Sequence, residues 1–370
     1  MHILALNRGS SSLKFGLYRV SRGVSECLLS DEDEGLGAVG AVFRAADALG
    51  RIVGLLTAKG APPPQAIGHR IVHGGARLRE HALIDAKLMT ELDAATAFAP
   101  LHMPTALAVV REAAAHWPGL PQVACLDTCF HADMPPVAST LPLPRHLRAA
   151  GLRRYGFHGL SCESIVRQLA GALPKRLLIA HLGNGASITA VHNGRSIDTS
   201  MGLTPTGGLI MGTRSGDLDP GVLVHLMREM KLDAAAVEDL VDHRCGLLGI
   251  SSIASDMRAL HDAAASQSDA ALAIEMFCYA TAKHLGAMSM ALGGVDQIVF
   301  TGGIGEHDVQ VRARICARLS SLGVSLDEAR NLRGRGVISP DHSPCTVRVL
   351  PSQEDDQIAR HTAALCGLGD

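Results

Sequence analysis

The chain has 370 residues, of which 47% are hydrophobic and 19% charged, so we expect a globular protein with two domains and a substantial core. A formal net charge of −2 excludes bulk electrostatic attraction to nucleic acid or a membrane surface. With only one Trp, three Tyr and seven Phe, the chain has few aromatic side chains on which nucleic acid bases could stack. The nine cysteines contain no CxxC pair and the first residues, MHILALN, lack a basic leader, so we expect a cytoplasmic protein without a signal peptide, zinc site or disulfide framework.

The first half of the chain opens with a predicted hairpin. Apolar runs at 2–6 and 13–20 flank the polar stretch 7–12, which is typical of two strands joined by a Gly/Ser turn. Further strands are predicted at 66–72 and 123–127, a candidate strand at 51–57, and helices at 85–99 and 105–116. We expect the crossover between the domains just after the proline-rich stretch 135–144.

The second half opens in the same way. After a predicted helix at 162–173, an apolar strand ends at 182, a Gly/Asn/Ser turn follows, and a strand resumes at 188–191, which indicates a weak internal duplication. Helices are expected at 234–242, 257–265, 270–292 and 309–322, strands at 297–300 and 347–351, and a last helix beyond 352. Charged residues interrupt the apolar segment 270–295, so we expect a buried helix there rather than a membrane span. Strands that alternate with helices predict an α/β fold.

Four strand-end loops are rich in Gly, Ser and Asn, at 7–12, 183–187, 207–216 and 302–305. Such loops present backbone N–H groups to phosphate oxygens, although each is also compatible with a tight turn or an ordinary surface loop. The loop 201–220 carries Arg214 and leads into a helix that Asp219 caps and Pro220 begins. Neither GxxxxGK[ST] nor a clean GxGxxG after the first strand is present, which disfavours the P-loop and Rossmann sites. We therefore predict a nucleotide site of another kind.

Seven segments occur in order along nearly the whole chain: LNRGSSSLK (6–14), GHRIVHGG (68–75), LDTCFH (126–131), RYGFHG (154–159), HLGNGAS (181–187), MGTRSGDLDPG (211–221) and TGGIGE (301–306). Together they resemble the acetate kinase family. The resemblance implies the duplicated fold of actin, sugar kinases and Hsp70 ATPase domains, with two ribonuclease-H-like lobes flanking a nucleotide cleft. The expected lobes are 1–147, completed by the C-terminal helix 355–370, and 148–354, which binds the nucleotide.

The resemblance implies ATP-dependent phosphorylation of acetate to acetyl phosphate, and the reverse phosphorylation of ADP, by direct in-line transfer. A carboxylate acceptor is already ionised at neutral pH, so no general base is needed. Asp127, His158 and Arg214 match the catalytic positions. We expect Asp127 to order Mg²⁺ and its water and to exclude a misplaced anion, with a helix cap as the alternative. We expect His158 to donate to an equatorial phosphoryl oxygen and Arg214 to bind the transferring group.

The remaining site residues also rest on the resemblance. Arg70 is expected to bind the acceptor carboxylate, because a guanidinium pairs with a carboxylate bidentately. The metal positions are Asn7 and Glu354, and the adjacent Asp355 and Asp356 leave the choice of carboxylate open. The expected acyl pocket comprises Val72, Leu101, Phe157 and Pro205. Lys14 is an expected nucleotide-binding residue, although its position is equally compatible with a solvated lysine in the hairpin. The other expected nucleotide-binding residues are His181, Leu182, Gly183, Asn184, Gly185, Asp256, Met257, Arg258, Gly303, Ile304, Gly305, Glu306 and His307. His102 matches a further cleft position.

The chain also departs from the family pattern. The interval from Lys14 to Arg70 is short, and Thr206-Gly207 replaces the usual Leu-Glu near the acyl pocket. Such a pocket distinguishes one methylene by only about 1–3 kcal/mol, so propionate and butyrate kinase remain alternatives. A nucleotide-dependent clamp of the actin/Hsp70 type, without an acid substrate, is the alternative from another class. The resemblance further implies Mg²⁺, with Mn²⁺ as an alternative, and a homodimer.

Overall fold

The computed structural model describes residues 1–9, 13–33, 44–100 and 102–367. The chain forms two compact units. The first comprises Met1–Ala132, Gly159–Ser164 and Gln353–Asp370, and the second comprises Asp133–His158 and Ile165–Ser352. Residues 133–158 belong to the second unit and contact the loop after its strand 195–199; the N–H of Tyr155, for example, donates to the carbonyl of Gly202. The lobe boundaries 1–147 with 355–370, and 148–354, stay a prediction.

The first unit contains six strands and the helices that cover them within the described ranges. The strands are β1 (His2–Arg8), β2 (Leu13–Ser21), β3 (Val24–Asp33), β4 (Ala66–Ile71), β5 (Ala82–Leu83) and β6 (Gln122–Leu126). The helices are α1 (Ala45–Ala58), α2 (Ala86–Ala95), α3 (Met103–His116), the first turns of α6 (Gly159–Gln168), and α15 (Glu354–Leu365).

The sheet of the first unit has the strand order β3-β2-β1-β4-β6-β5. Strands β1, β2 and β3 form an antiparallel meander, β4 and β6 run parallel to β1, and β5 is antiparallel to β6. Both faces of the sheet are covered, and β1 shows this through period-2 alternation. Leu4 and Leu6 pack with α1 and α3, whereas Ile3 and Ala5 pack with α6 and α15.

The second unit also contains six strands among its described residues. They are β7 (Arg176–Leu182), β8 (Ala186–His192), β9 (Arg195–Thr199), β10 (Gln297–Thr301), β11 (Gly336–Val337) and β12 (Thr346–Val349). Its helices are α4 (Pro136–Ser139), α5 (Arg145–Ala149), the rest of α6, α7 (Pro220–Glu229), α8 (Ala234–Asp239), α9 (Gly246–Ser251), α10 (Met257–Ala263), α11 (Ser268–Ala291), α12 (Gly302–His307), α13 (Val309–Ala317) and α14 (Glu328–Arg333). The long helix α11 buries Phe277 and Leu285 and packs on β7, β8 and β9.

The two sheets have the same topology. The second sheet has the order β9-β8-β7-β10-β12-β11 when it is read from its meander edge. Its meander is antiparallel, β10 and β12 run parallel to β7, and β11 is antiparallel to β12. Each relation repeats its counterpart in the first sheet. The internal duplication that the two hairpins indicate therefore extends over all six strands.

Two local predictions were wrong. The candidate strand at 51–57 is part of α1, in which Ala48, Leu49, Ile52 and Leu56 are buried at helical spacing. The glycine loop at 302–305 is the start of the short helix α12. The strands at 66–72 and 123–127 and the long helix at 270–292 are confirmed as β4, β6 and α11, with ends shifted by a few residues. Among the helices of the described residues, none combines the length and the apolarity needed to cross a bilayer.

Candidate functional site

The parallel strands of the first unit bring three predicted site residues to one end of the sheet. Asn7 lies near the end of β1, Arg70 near the end of β4, and Asp127 follows β6. Arg70 is aligned with Cys125 in the β4–β6 register, and Ile71 with Leu126. Carboxyl ends of parallel strands meet at one edge, where open α/β sheets bind ligands. The order of the strands thus joins residues that lie far apart in the sequence.

Arg70 and Asp127 form a tight charged pair. The Nε and Nη2 atoms of Arg70 donate to Oδ2 of Asp127 at 2.9 and 2.5 Å. Asp127 is fully buried, and the side chain of Arg70 is 14% exposed. Burial alone would lower the pKa of Arg70, but the charges of Asp127 and Glu354 raise it, so the guanidinium stays charged. The residue that begins the following 3-10 helix Cys129–His131, Thr128, makes no side-chain cap bond to it.

The backbone around Asp127 is also held closely. Its N–H donates to the carbonyl of Ile71, and its carbonyl accepts the N–H of Gly159 at 2.9 Å. A Cβ on Gly159 would stand 2.2 Å from that carbonyl oxygen. A residue with a side chain would therefore displace either the start of α6 or the strand end that carries Asp127.

Asn7 meets two carboxylates from the start of α15. Its Nδ2 donates to Oε2 of Glu354 at 3.0 Å and to Oδ1 of Asp355 at 2.8 Å. Asp356 instead pairs with Arg360 at 3.0 Å. Of the three carboxylates that the sequence left open, Glu354 and Asp355 therefore lie beside Asn7 and Asp356 points elsewhere.

The electrostatics of this group fit a hard divalent cation. Burial and the charge of Glu354 raise the pKa of Asp355 to about 6, although the hydrogen bond from Asn7 opposes the shift. Two neighbouring carboxylates and an amide provide only oxygen ligands once the amide is turned, which is the donor set that Mg²⁺ prefers. The residues present at this strand end therefore suit a magnesium ion.

His158 in the second unit is held by two neighbours on the β7–β8 hairpin. Its Nδ1 lies 3.0 Å from Oγ of the fully buried Ser187. Its ring stacks on that of His181, with centroids 4.1 Å apart and planes at 20°. His181 and Ser187 face each other in the β7–β8 register. His158 itself has a left-handed backbone, with φ of 58°.

His158 and Arg214 converge on the glycine turn of that hairpin. A Cβ on Gly185 would stand 3.2 Å from Nε2 of His158 and 3.4 Å from Nη1 of Arg214. Nη1 of Arg214 also donates to the carbonyl of Pro205 at 3.3 Å. The two nitrogens therefore lie on the same side of the turn at Gly185, and this pair of donors is suited to an anionic oxygen that lies between them.

The other nucleotide-side residues have distinct environments. Leu182 is fully buried on β7, and the N–H of Gly183 donates to the carbonyl of Gly185 at 3.0 Å. The carbonyl of Asn184 accepts the N–H of Gly212 at 3.0 Å. These bonds fix the turn after β7 against the loop that carries Arg214.

At the end of β10, Oε1 of Glu306 accepts the N–H of Gly302 at 2.9 Å and that of Ser352 at 3.0 Å. Glu306 therefore holds the start of α12 to the segment before α15. The other residues of this group are the exposed Gly303 and His307, the partly buried Ile304 and the buried Gly305.

Asp256 caps α10 by accepting the N–H groups of Arg258 and Ala259, both at 3.1 Å. Met257 is buried, whereas the side chain of Arg258 is 92% exposed. Lys14, in the first unit, lies 3.5 Å from Glu32 on β3 in an exposed ion pair. His102 is the residue before α3 and does not cap it through its side chain.

The expected acyl-pocket residues are apolar and largely buried. Val72 is 8% exposed in the first unit, and Phe157 is 1% exposed in the second. Pro205 is buried as well, and the next residue, Thr206, donates to Oδ1 of Asp242 at 2.5 Å. Leu101 lies outside the described residues.

Sequence reasoning did not single out two residues that the structure places beside predicted site residues. Asp355 was only one of three adjacent carboxylates, and its contact with Asn7 spans 348 positions of the chain. Ser187 lies in a recognised motif, but its position opposite His181 in the hairpin register is what places its hydroxyl at His158. The hairpin pairing, counted outward from the turn, is the signal that was available for Ser187.

A duplicated six-stranded α/β fold with charged groups at the strand ends defines a protein of the actin-like ATPase fold class. The sequence profile of the Acetokinase family matches residues 2–360. An acetate kinase 2 from Neisseria meningitidis serogroup B is 42% identical, with 99% of this chain and 98% of the relative covered. An acetate kinase from Rhodopseudomonas palustris is 40% identical, with 99% of each covered.

Solved structures agree with this comparison. A Porphyromonas gingivalis acetate kinase has a TM-score of 0.87 at 35% identity, with 99% of both chains covered. A Francisella tularensis propionate kinase has a TM-score of 0.88 at 34% identity, with 98% of this chain and 99% of that chain covered. The chain belongs to the acetokinase family.

Proposed function

We propose that this protein is an acetate kinase, which transfers the γ-phosphoryl group of ATP to acetate and forms acetyl phosphate, and which also phosphorylates ADP in the reverse direction. The observation that carries the proposal is the convergence of His158 and Arg214 on the glycine turn at Gly185. Full-length similarity to relatives named acetate kinase supports the same reaction. Membership of that family favours a kinase over a clamp without an acid substrate.

The second unit supplies the groups that handle the phosphoryl group. Nη1 of Arg214 and Nε2 of His158 each donate a hydrogen bond to an oxygen of the phosphoryl group as it moves. Charge spreads over these oxygens in the transition state, and preorganised donors stabilise it there more than in the ground state. The nucleotide is assigned to the turn 182–185, the start of α10 and the start of α12.

The first unit supplies the groups that handle the acid. The Nε/Nη2 edge of Arg70 is paired with Asp127, whereas the contacts of Nη1 with Asn7 and Arg8 are long, at 3.4 and 3.5 Å. The acetate carboxylate is assigned to the terminal nitrogens of Arg70. Asp127 orients the guanidinium for it. The fixed negative charge of Asp127 also repels a second anion that approaches from the wrong side.

The metal site is assigned to Asn7, Glu354 and the adjacent Asp355. A Mg²⁺ ion bound here supplies positive charge that offsets repulsion between the phosphates and the incoming carboxylate. Mn²⁺ also accepts oxygen ligands and is the alternative metal. The amide of Asn7 holds the two carboxylates at hydrogen-bonding distance from one point.

The identity of the carboxylic acid substrate is a separate part of the proposal. A structure named as a propionate kinase matches the fold as well as one named as an acetate kinase does. Thr206, beside Pro205, bonds to Asp242, so this segment is anchored by a polar contact. Acetate is the primary assignment because the relatives cited above carry that name, and propionate is the alternative.

The test is formation of acyl phosphate from Mg-ATP with formate, acetate, propionate or butyrate, trapped as the hydroxamate by hydroxylamine. We expect the highest kcat/KM with acetate and no product when the acid or ATP is omitted. A preference for propionate would retain the reaction class and change the acid. ATP binding without product from any of the four acids would contradict the proposal and favour the clamp.

We also propose a homodimer in the cytoplasm. Val222, Val224 and Met227 of helix α7 and its C-cap residue Met230 are each more than 40% exposed. Apolar patches of this kind are typical of interfaces, and a second copy of the chain is the partner assigned to it. All nine cysteines are free thiols, which suits a reducing compartment.

A further inference from the structure

We infer that Ser187 is a positioning residue that fixes the tautomer of His158, so that the imidazole presents N–H at Nε2 to the transferring phosphoryl group. This inference deepens the proposed function and rests on it. It starts from the contact of 3.0 Å between Oγ of Ser187 and Nδ1 of His158. A neutral imidazole carries one proton, and the partner of one nitrogen determines which nitrogen holds it.

The direction of this hydrogen bond follows from the burial of Ser187. The side chain is 0% exposed, so its hydroxyl proton has no access to bulk water. Among the described residues, Nδ1 of His158 is the acceptor within reach of that hydroxyl. A buried donor that lacks an acceptor is destabilising. The hydroxyl therefore donates to Nδ1, and the proton of neutral His158 lies on Nε2.

The second ring nitrogen faces the place where a donor is needed. Nε2 of His158 lies 3.2 Å from the position that a Cβ on Gly185 would take, and Nη1 of Arg214 lies 3.4 Å from it. A phosphoryl oxygen that lies between these two nitrogens accepts from both only if Nε2 carries a proton. The opposite tautomer would direct a lone pair at the phosphoryl oxygen and repel it.

The hairpin explains why a serine on β8 performs this role. Ser187 lies opposite His181, whose ring stacks on that of His158 with centroids 4.1 Å apart. The stacking fixes the plane of the His158 ring, and the hydroxyl fixes its rotation and its proton. Both contacts come from neighbouring strands of one sheet, so they are rigid relative to each other.

The experiment compares Ser187→Ala with Ser187→Thr, which retains the hydroxyl. The control is Thr189→Val, which removes another fully buried hydroxyl two residues along β8, bonded to Thr199 at 3.1 Å. We expect Ser187→Ala to lower kcat about tenfold or more, while KM for ATP and for acetate changes less than about threefold. In the catalytic triad of a serine protease, a histidine fixed in the wrong tautomer lowers kcat by up to roughly 10⁴-fold. We expect Ser187→Thr and Thr189→Val each to keep kcat near the wild-type value.

A spectroscopic measurement separates this inference from the proposed function. In ¹⁵N-histidine-labelled protein, the His158 signals are those that disappear in His158→Asn. We expect the Nε2–H tautomer in the wild type and in Ser187→Thr, and a mixture of tautomers in Ser187→Ala. An unchanged tautomer in Ser187→Ala, or an equal loss of kcat in Thr189→Val, would overturn the inference. A wild-type protein that makes no acyl phosphate but shows the expected tautomers would contradict the proposed function alone.

Discussion

Substitution of Gly185 by alanine tests whether an anionic oxygen occupies the space between His158 and Arg214. The added methyl would stand 3.2 Å from Nε2 of His158 and 3.4 Å from Nη1 of Arg214. A methyl group this close to both donors would block an oxygen that approaches them, and it cannot itself accept a hydrogen bond. Removal of one such donor in other enzymes lowers kcat by about 10²–10³-fold, so we expect a loss of at least that size.

The same substitution should leave the fold intact. Gly185 does not have a left-handed backbone, and its neighbours at that point are the ends of two side chains. Replacing glycine by alanine at a compatible position stabilises a protein by about 0.4–1 kcal/mol through the unfolded state, which offsets part of the tight contact. We therefore expect a Tm close to that of the wild type.

The assay for Gly185→Ala combines kcat for hydroxamate formation, the Kd for ATP by calorimetry, and Tm. Gly286→Ala is the matched control, because a Cβ on Gly286 meets nothing within 4 Å on the distant helix α11. This control should keep its activity and gain roughly 0.5–1 kcal/mol of stability. A folded Gly185→Ala variant with near-normal kcat would refute the assignment of a phosphoryl oxygen to this space.

Three further predictions concern Arg214, Glu163 and helix α7. Arg214→Ala should lower kcat by about 10³-fold or more with nearly unchanged Kd for ATP, because the arginine acts on the transition state; near-normal turnover would contradict its role. Burial alone would raise the pKa of Glu163, but hydrogen bonds from His361 and His81 lower it to about 2, below its ordinary 4.5. The stabilisation is thus present above about pH 4.5 and is lost as pH falls toward 2. Glu163→Gln should therefore lower the free energy of unfolding, measured in urea at pH 7, by at most roughly 3 kcal/mol. The difference in unfolding free energy between the wild type and this variant should become smaller in acid. Met227→Asp should shift the protein from dimer to monomer in light scattering, and an unchanged mass would exclude α7 from the interface.

Glu163 is hydrogen-bonded to His361 at 2.6 Å and lies beside His81. His81, Glu163 and His361 have ligand atoms within 4.8 Å of one another, which is a spacing that a metal ion would suit. However, the N–H of Leu126 donates to Nδ1 of His81 at 3.0 Å. The proton of neutral His81 therefore lies on Nε2, the nitrogen that faces Glu163 at 3.7 Å, and is directed at the carboxylate.

Periodicity in the sequence predicted most of the regular structure, and its failures have physical reasons. The run 51–57 is apolar and short, and a short apolar run fits either a strand or one side of a helix. Only the wider spacing of Leu49, Ile52 and Leu56 shows that α1 is a helix. Strand β3 was missed because it mixes apolar and acidic residues, and its partner β2 rather than its own pattern places it at the sheet edge.

The chemical groups of the candidate site were predictable from motifs, but their partners were not. The pairing of Arg70 with Asp127 depends on β4 and β6 being neighbours in a parallel sheet, which no local pattern encodes. The contact of Asn7 with Asp355 depends on the docking of the last helix against the first strand. Motifs fix the type of a side chain, whereas tertiary packing fixes its orientation.

The two units share one sheet topology, and they differ in the groups that they place at the strand ends. Strands β4 and β6 correspond to β10 and β12 in the sheet order. The first pair leads to the charged side chains of Arg70 and Asp127. In the second unit, β10 leads to a helix start whose first N–H is bound by Glu306. Charged side chains suit a small acid and a metal, whereas glycine turns and backbone N–H groups suit phosphates. The same sheet topology can therefore serve both substrates of a kinase, because the strand-end segments of the two units carry different groups.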